Sequence, residues 1–478
     1  NIVYLDHPNG YTTVYMHNER FNDAISKAVR DYQYQHQQYD VDFNLPPGQI
    51  EVCQGDVISI SGASGAVEGP HLHFEVRDTK TEEIINPQLF GITIPDKVAP
   101  SISAVGIYHL DNKPFSENTP REFLSVTGSA GNYHLTRPGV INVSGNTGFG
   151  ITAYDKNSAS ASRNGVYSIE LQVDDKTVYT YAIERFGFDQ THAINAYIDY
   201  PALITTGRWV QKCFILPGSK ISLYPQSINR GIINFNDDGD HEVKYIVKDV
   251  AGNTSTVLLH VKSHTPTAIA TSQLNGTLFH YDKKNEFVND KVKVTIMPGN
   301  LYDDVDFTYS TLPMRPEAFS VTHRIHNRFT PIHDQYDLWI KPDRDLGQLA
   351  NKAVIVSTAG GYAGGVYEDG YVKGQPKTFG DFYIRMDDVP PRIVPVNISN
   401  SKNMAKLSRI SLRISDNLSG IKSYNGKIDG KWVLMEWDYK TRVLSYTFDN
   451  IAHGKHNFEL TVTDNKDNSA VYTADFYR

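Results

Sequence analysis

Only one stretch of this 478-residue chain repeats its apolar residues at helical spacing. Between Phe21 and Tyr39, the residues Phe21, Ile25, Ala28, Val29 and Tyr32 recur three or four positions apart. Asn22 offers an N-cap and Asp23 a first-turn acid. Almost everywhere else apolar residues come in short alternating runs, punctuated by Asn-Gly, Asp-Asn, Gly and Pro turns. Such a chain buries its core between sheets, and its 29 Tyr and 21 Phe suit strands. The expected fold class is mainly β.

The length predicts about three or four domains at roughly 100–200 residues each. With 46 Lys and Arg against 54 Asp and Glu, the net charge is −8, which excludes a general nucleic-acid binder. At 21% charged residues the chain is not an acidic disordered one. No apolar run approaches the length of about 18 residues that a transmembrane helix needs. Two cysteines far apart, Cys53 and Cys213, exclude a disulfide framework. The sequence opens on Asn1-Ile2-Val3-Tyr4, already strand-like and without Met, as expected of a mature or truncated product.

Four segments follow from the texture, with boundaries at 1–97, 98–264, 265–388 and 389–478. In the first, Asn1–His7 and Tyr11–His17 flank Pro8-Asn9-Gly10 as a hairpin, with Val14 and Met16 on one face and Thr13, Tyr15 and His17 on the other. Further strands are expected at Gln49–Cys53, Asp56–Ser61 and His71–Arg77. The second and fourth segments share a weak repeat. Each closes on an alternating strand, an Asp, a polar turn and a last strand: Asp240–Asp249 before Asn253, and Gly454–Asp464 before Asn468. That ending fits the last hairpin of an immunoglobulin-like sandwich. The second segment carries an insertion at roughly 186–236. The third has Gly-rich turns at Gly360-Gly361 and Gly364-Gly365, no recognisable motif, and reads as another sandwich.

The stretch that carries chemistry is Gly62-Ala63-Ser64-Gly65-Ala66-Val67-Glu68-Gly69-Pro70-His71-Leu72-His73-Phe74-Glu75. Histidines two apart on a strand point to one face, so one imidazole can take a metal while the other stands beside it. Leu72 and Phe74 would then face a core. The glycines upstream permit a tight turn close to a substrate.

This stretch resembles the M23 family of zinc metallopeptidases, the LytM/lysostaphin-like peptidoglycan endopeptidases. Gly55-Asp56-Val57-Ile58, the hairpin from Asp6-His7-Pro8-Asn9-Gly10-Tyr11 to Tyr15-Met16-His17, Arg77-Asp78 and Asn86-Pro87 extend the likeness over roughly residues 1–95. The resemblance implies a β-rich peptidase domain. In it His73 would be a zinc ligand, His71 a catalytic histidine near the metal-bound water, and His17 a second catalytic histidine that polarises the scissile carbonyl. The family's other two Zn2+ ligands belong to a His-x-x-x-Asp motif that lies upstream of the hairpin, and this sequence starts at the hairpin. The helix at 21–39 also departs from the family, occupying a connection that is usually short. It would wall the groove, cap it or dock a partner.

The implied function is zinc-dependent cleavage of peptidoglycan cross-bridge peptides by an exported protein of the bacterial cell envelope. The alternative is a catalytically inactive scaffold or binding subunit of an envelope or outer-membrane complex, with envelope proteins as partners; an adhesin working through its sandwiches is a third reading. Other polar residues are expected to be structural. His7, at the hairpin turn, is expected to be a surface or structural residue, His36 to lie on the solvated side of the helix, and His323, His326 and His333 read as scattered surface residues. The runs at Asp237, Asp238 and Asp240 and at Asp303, Asp304 and Asp306 read as solvated turns. Asp249, Asp416 and Asp464 organise turns through side-chain hydrogen bonds to backbone. Trp432 and Trp437 are expected in a core.

Overall fold

A computed structural model describes residues 1–111, 114–158, 160–266, 274–449 and 451–478. The protein is mainly β, as the alternation requires. Residues 267–273, at the expected start of the third segment, lie outside the described residues.

The first unit holds β1 (Val3–Asp6), β2 (Tyr11–Met16), β3 (Asn18–Phe21), α1 (Asp23–His36), β4 (Ser59–Ser61), β5 (His73–Asp78) and β6 (Ile84–Ile85). The Asn-Gly turn sets the β1–β2 register, with Val3 opposite Tyr15 and Asp6 opposite Thr12. Thr12 and Val14 are buried, which fixes the expected face of β2. β5 pairs with β2, placing His73 opposite Met16. β6 follows β5, and the strand Arg185–Phe186 from the second segment's insertion then completes the sheet. This sheet therefore extends past the 97/98 boundary.

The second segment folds one continuous hydrogen-bonded path of strands into a sandwich, because strands 121–129 and 141–154 each pair on both sides. Its core packs Val105, Ile107, Phe149 and Ile151 against Val243, Tyr245, Val247, Val257 and Leu259. The third pairs a five-stranded with a four-stranded sheet around Val294, Ile296, Leu338, Ile355 and Phe382. The fourth does the same around Leu412, Leu444, Leu460 and Phe476. The expected closing hairpins form, Asp240–Lys248 with Thr254–His264 and Lys455–Asp464 with Ser469–Tyr477.

Several expectations need correction. No strand forms over 49–53, and only Ser59–Ser61 of the 56–61 run is paired. The helix is trimmed to Asp23–His36, because Gln37 turns left-handed and ends it. His323 and His326 are buried rather than on the surface, His323 bonded to the Tyr309 hydroxyl (2.9 Å) and His326 to Thr330 (2.8 Å). Trp432 and Trp437 are both half-buried; Trp437 packs against the fourth segment's core as expected, and Trp432 does not. Trp432 instead meets Tyr34 and Tyr39 from α1 and the segment after it, at ring separations of 5.2 and 5.0 Å.

Candidate active site

The site lies at the open end of the β2–β5 pair. His17 follows β2 with φ 63°, a left-handed conformation that ends the strand and turns its ring across the sheet end. His71 and His73 lead into β5. The His17 ring lies 4.9 Å from that of His71 and 5.6 Å from that of His73. The three imidazoles that the sequence singled out are thus gathered in one place. Leu72, expected to face a core, is 48% exposed, because the strand proper begins only at His73 and residues 70–72 still belong to the incoming loop. Phe74 packs edge-on against Tyr15 (5.4 Å).

Gly62 ties two of the histidines together through its backbone. Its N–H donates to the His17 carbonyl (3.0 Å), and its carbonyl accepts from the His71 N–H (3.0 Å). A Cβ on Gly62 would lie 2.6 Å from the Glu19 backbone nitrogen, so only glycine fits this crossing.

Each imidazole has one ring nitrogen held by the protein. His17 Nδ1 donates to the Ser64 carbonyl (2.9 Å), and His71 Nδ1 donates to the Gly69 carbonyl (3.1 Å). A carbonyl only accepts, so both neutral rings carry their proton on Nδ1 and leave a lone pair on Nε2. His73 is held the other way round. Its Nε2 donates to Glu75 Oε1 (2.8 Å), and Nδ1 is left for a ligand. Glu75 is itself gripped by the Arg77 guanidinium, with Nε and Nη2 at 2.7 and 2.6 Å from Oε2. Both Glu75 and Arg77 are buried. Phe188 from the second segment covers Arg77 at 4.5 Å, and Tyr4 stands on it at 5.3 Å.

Glu75 and Arg77 were quoted in the motif without a role. The signal was present, since His73, Glu75 and Arg77 alternate along one face of one strand. A carboxylate behind a histidine fixes its tautomer and raises its basicity as a metal ligand. His73 therefore fits as one zinc ligand. The three histidines do not by themselves offer a set of ligand atoms converging on one point, whereas a catalytic zinc needs three protein ligands. The residues present fit one ligand position and two bases beside it.

The fourth segment reaches this loop. Lys440 Nζ donates to the carbonyls of Val67 (2.6 Å) and Ala63 (3.2 Å), on either side of the Ser64 that orients His17. α1 docks on the same segment, with the Tyr34 hydroxyl donating to Asp449 (3.1 Å). The partner that the helix docks is within the chain. His7 bonds Thr13 (2.8 Å) and His36 is exposed against Tyr32, both apart from the site.

Comparisons with known proteins bear on the β modules. A family model described as a Zu5-like domain matches residues 276–387, the third segment. No curated protein matches the chain. Among solved structures, the fibronectin(III)-like modules of Clostridium thermocellum CbhA are similar at 8% identity, covering 70% of this chain and 87% of theirs with a TM-score of 0.16. A 1.5-MDa bacterial ice-binding adhesin is similar at 10% identity, over 71% and 93% of the two chains, with a TM-score of 0.14. The Bacteroides ovatus glucan-utilisation protein SGBP-B is similar at 10% identity, over 80% and 71%, also at 0.14.

Proposed function

We propose that residues 1–97 form the substrate-facing half of an M23-type zinc endopeptidase that cuts peptidoglycan cross-bridge peptides in the bacterial envelope, after export of the protein. The observation that carries this reading is the orientation of the three rings: His73 presents Nδ1 with Glu75 behind it, while His17 and His71 present Nε2. His73 would be one ligand, and the remaining ligands would come from outside these residues. Bound zinc supplies a water that ionises near neutral pH. This chain's own residues do the rest. His71 Nε2 accepts and returns a proton at the attacking water, and His17 Nε2, once protonated, donates to the developing oxyanion. His71 and His73 are exposed, as access of a peptide to them requires.

A second reading, a scaffold that no longer hydrolyses, is favoured by Lys440, which ties the fourth segment to the loop beside His17. Zinc per chain on natively purified protein, with digestion of purified peptidoglycan, separates the two. The enzyme reading expects about one zinc that His73→Ala abolishes, and a loss of at least about 100-fold in cleavage for His71→Ala. Zinc-free protein that takes up none on addition, with no cleavage, leaves the scaffold.

A further inference from the structure

Two groups of three aspartates occupy equivalent places in the second and fourth segments. Asp96, Asp155 and Asp249 form one, and Asp387, Asp416 and Asp464 the other; in each, ligand atoms of all three lie within 4.8 Å of one another. The construction repeats. Asp249 and Asp464 end the first strand of the closing hairpin, and each clasps the Asn four residues on through both its backbone N–H and its side-chain amide: Asn253 at 2.8 and 2.7 Å, Asn468 at 2.9 and 2.7 Å. Asp155 and Asp416 immediately follow the strands 141–154 and 409–415. Asp96 and Asp387 come from the connection leading in from the preceding unit.

Turn formation explains only part of these side chains. Asp387 accepts from the Ser419 N–H through Oδ2, and Asp416 accepts from Leu418 and Gly420 N–H groups through Oδ2. Their Oδ1 atoms, and Oδ1 of Asp155, are buried with no hydrogen-bond donor among the described residues. Asp387 is 1% exposed and Asp155 is 7% exposed. A buried carboxylate oxygen without a donor is costly, and three carboxylates sharing a site repel one another. Among the described residues no Lys or Arg pairs with any of the six, although Asp467, next to the second group, does pair with Lys422 (2.6 Å). The nearby Lys466 spends its ammonium on the Gly365 carbonyl (2.6 Å), and Lys352 spends its own on the Lys466 carbonyl (2.6 Å).

We propose that each aspartate group is a calcium site, so that the chain binds two Ca2+ ions at the junctions where the second and fourth segments meet the units before them. Oxygen-only donors select a hard divalent cation over zinc or copper. Three carboxylates drawn from three separate segments give an irregular shell, which Ca2+ tolerates and Mg2+ does not. Each ion would fasten a connecting segment to the sandwich that follows. The proposal does not depend on the histidine site.

The test is calcium stoichiometry on the full chain after chelation and dialysis, together with thermal unfolding with and without millimolar Ca2+. Wild type should hold two Ca2+ per chain, with Asp155→Asn removing one, Asp387→Asn the other, and His73→Ala neither. Wild type should melt about 4 °C or more higher in Ca2+, and the double variant should not shift. In chelator the double variant should melt no lower than wild type, since Asn keeps an acceptor and sheds the repulsion; this also shows that it folds. Asp416→Asn should repeat the Asp387→Asn result. Fewer than one Ca2+ per chain, or a thermal shift that the double variant retains, would overturn the proposal.

Discussion

The backbone N–H of Gly426 donates to the hydroxyl of Tyr39 at 2.9 Å, across 387 positions of sequence. Gly426 carries no side chain because a Cβ there would stand 2.3 Å from Met435 Sδ, and the bare backbone is what Tyr39 reaches. The Tyr39 ring packs on Tyr424 (4.5 Å) and Trp432 (5.0 Å), at the edge of the fourth segment's core. One aromatic residue just beyond α1 thus joins the first unit to the last.

Tyr39→Ala should loosen that joint, at a cost of about 2 kcal/mol from lost ring packing and one hydrogen bond. Amide exchange should rise over 23–36 and over the 63–67 loop, while the core of the second segment stays protected. Unchanged exchange in α1 would show that the helix is held by its own unit.

Glu75→Gln should weaken zinc binding at His73 by about 10–100-fold, because the amide cannot hold the imidazole with a full negative charge. Competition against a chromogenic chelator reads this directly. Arg77→Met should act in the same direction by freeing Glu75 to move.

Lys212 makes a prediction about pH. It is fully buried, its ammonium has no hydrogen-bond partner among the described residues, and it lies over the Phe115 ring at 4.1 Å. Burial lowers its pKa from 10.5 to about 7, with Asp199 and Asp303 only partly compensating. Between those values the unfolded chain holds the extra proton, so stability rises with pH through that window, by several kcal/mol. Lys212→Met should flatten the slope between pH 7 and 10 and raise the melting temperature at pH 7. A pH slope that survives the substitution would assign it to other groups.

Asn22→Ala should cost α1 about 1 kcal/mol, since Asn22 Oδ1 caps the Ile25 N–H (3.0 Å) and its amide also bonds the Val57 carbonyl (3.1 Å). Exchange of the first-turn amides would report it, and zinc content should not change.

What was legible in the sequence was local. The helix period and the Asn22 cap specified α1 and Asn9-Gly10 specified the first hairpin, while of the His-x-His pair only His73 lies on the strand and His71 belongs to the loop before it. The errors arose where distant segments decide. Gln49–Cys53 alternates like a strand but finds no neighbour to pair with. The docking of Tyr34 and Tyr39 could not be read locally, because their partners Tyr424, Trp432 and Asp449 lie in the fourth segment. Each of Asp249, Asp416 and Asp464 could be read as a turn organiser, yet their grouping with Asp96, Asp155 and Asp387 exists only after folding. His323 and His326 followed no pattern that distinguishes a core histidine from a surface one.

The short strand Arg185–Phe186, laid on β6, changes what the connection at 95–100 can be. In sequence it is a boundary between two segments, but in space it is a bypassed link, because the Asn86 N–H also bonds the Glu184 carbonyl (2.8 Å) and Phe188 lies on Arg77. Tension along the chain would load these strand contacts in shear before straightening the connection. A protease nick at 95–100 would leave both halves in register, and the first two units should melt in a single cooperative transition.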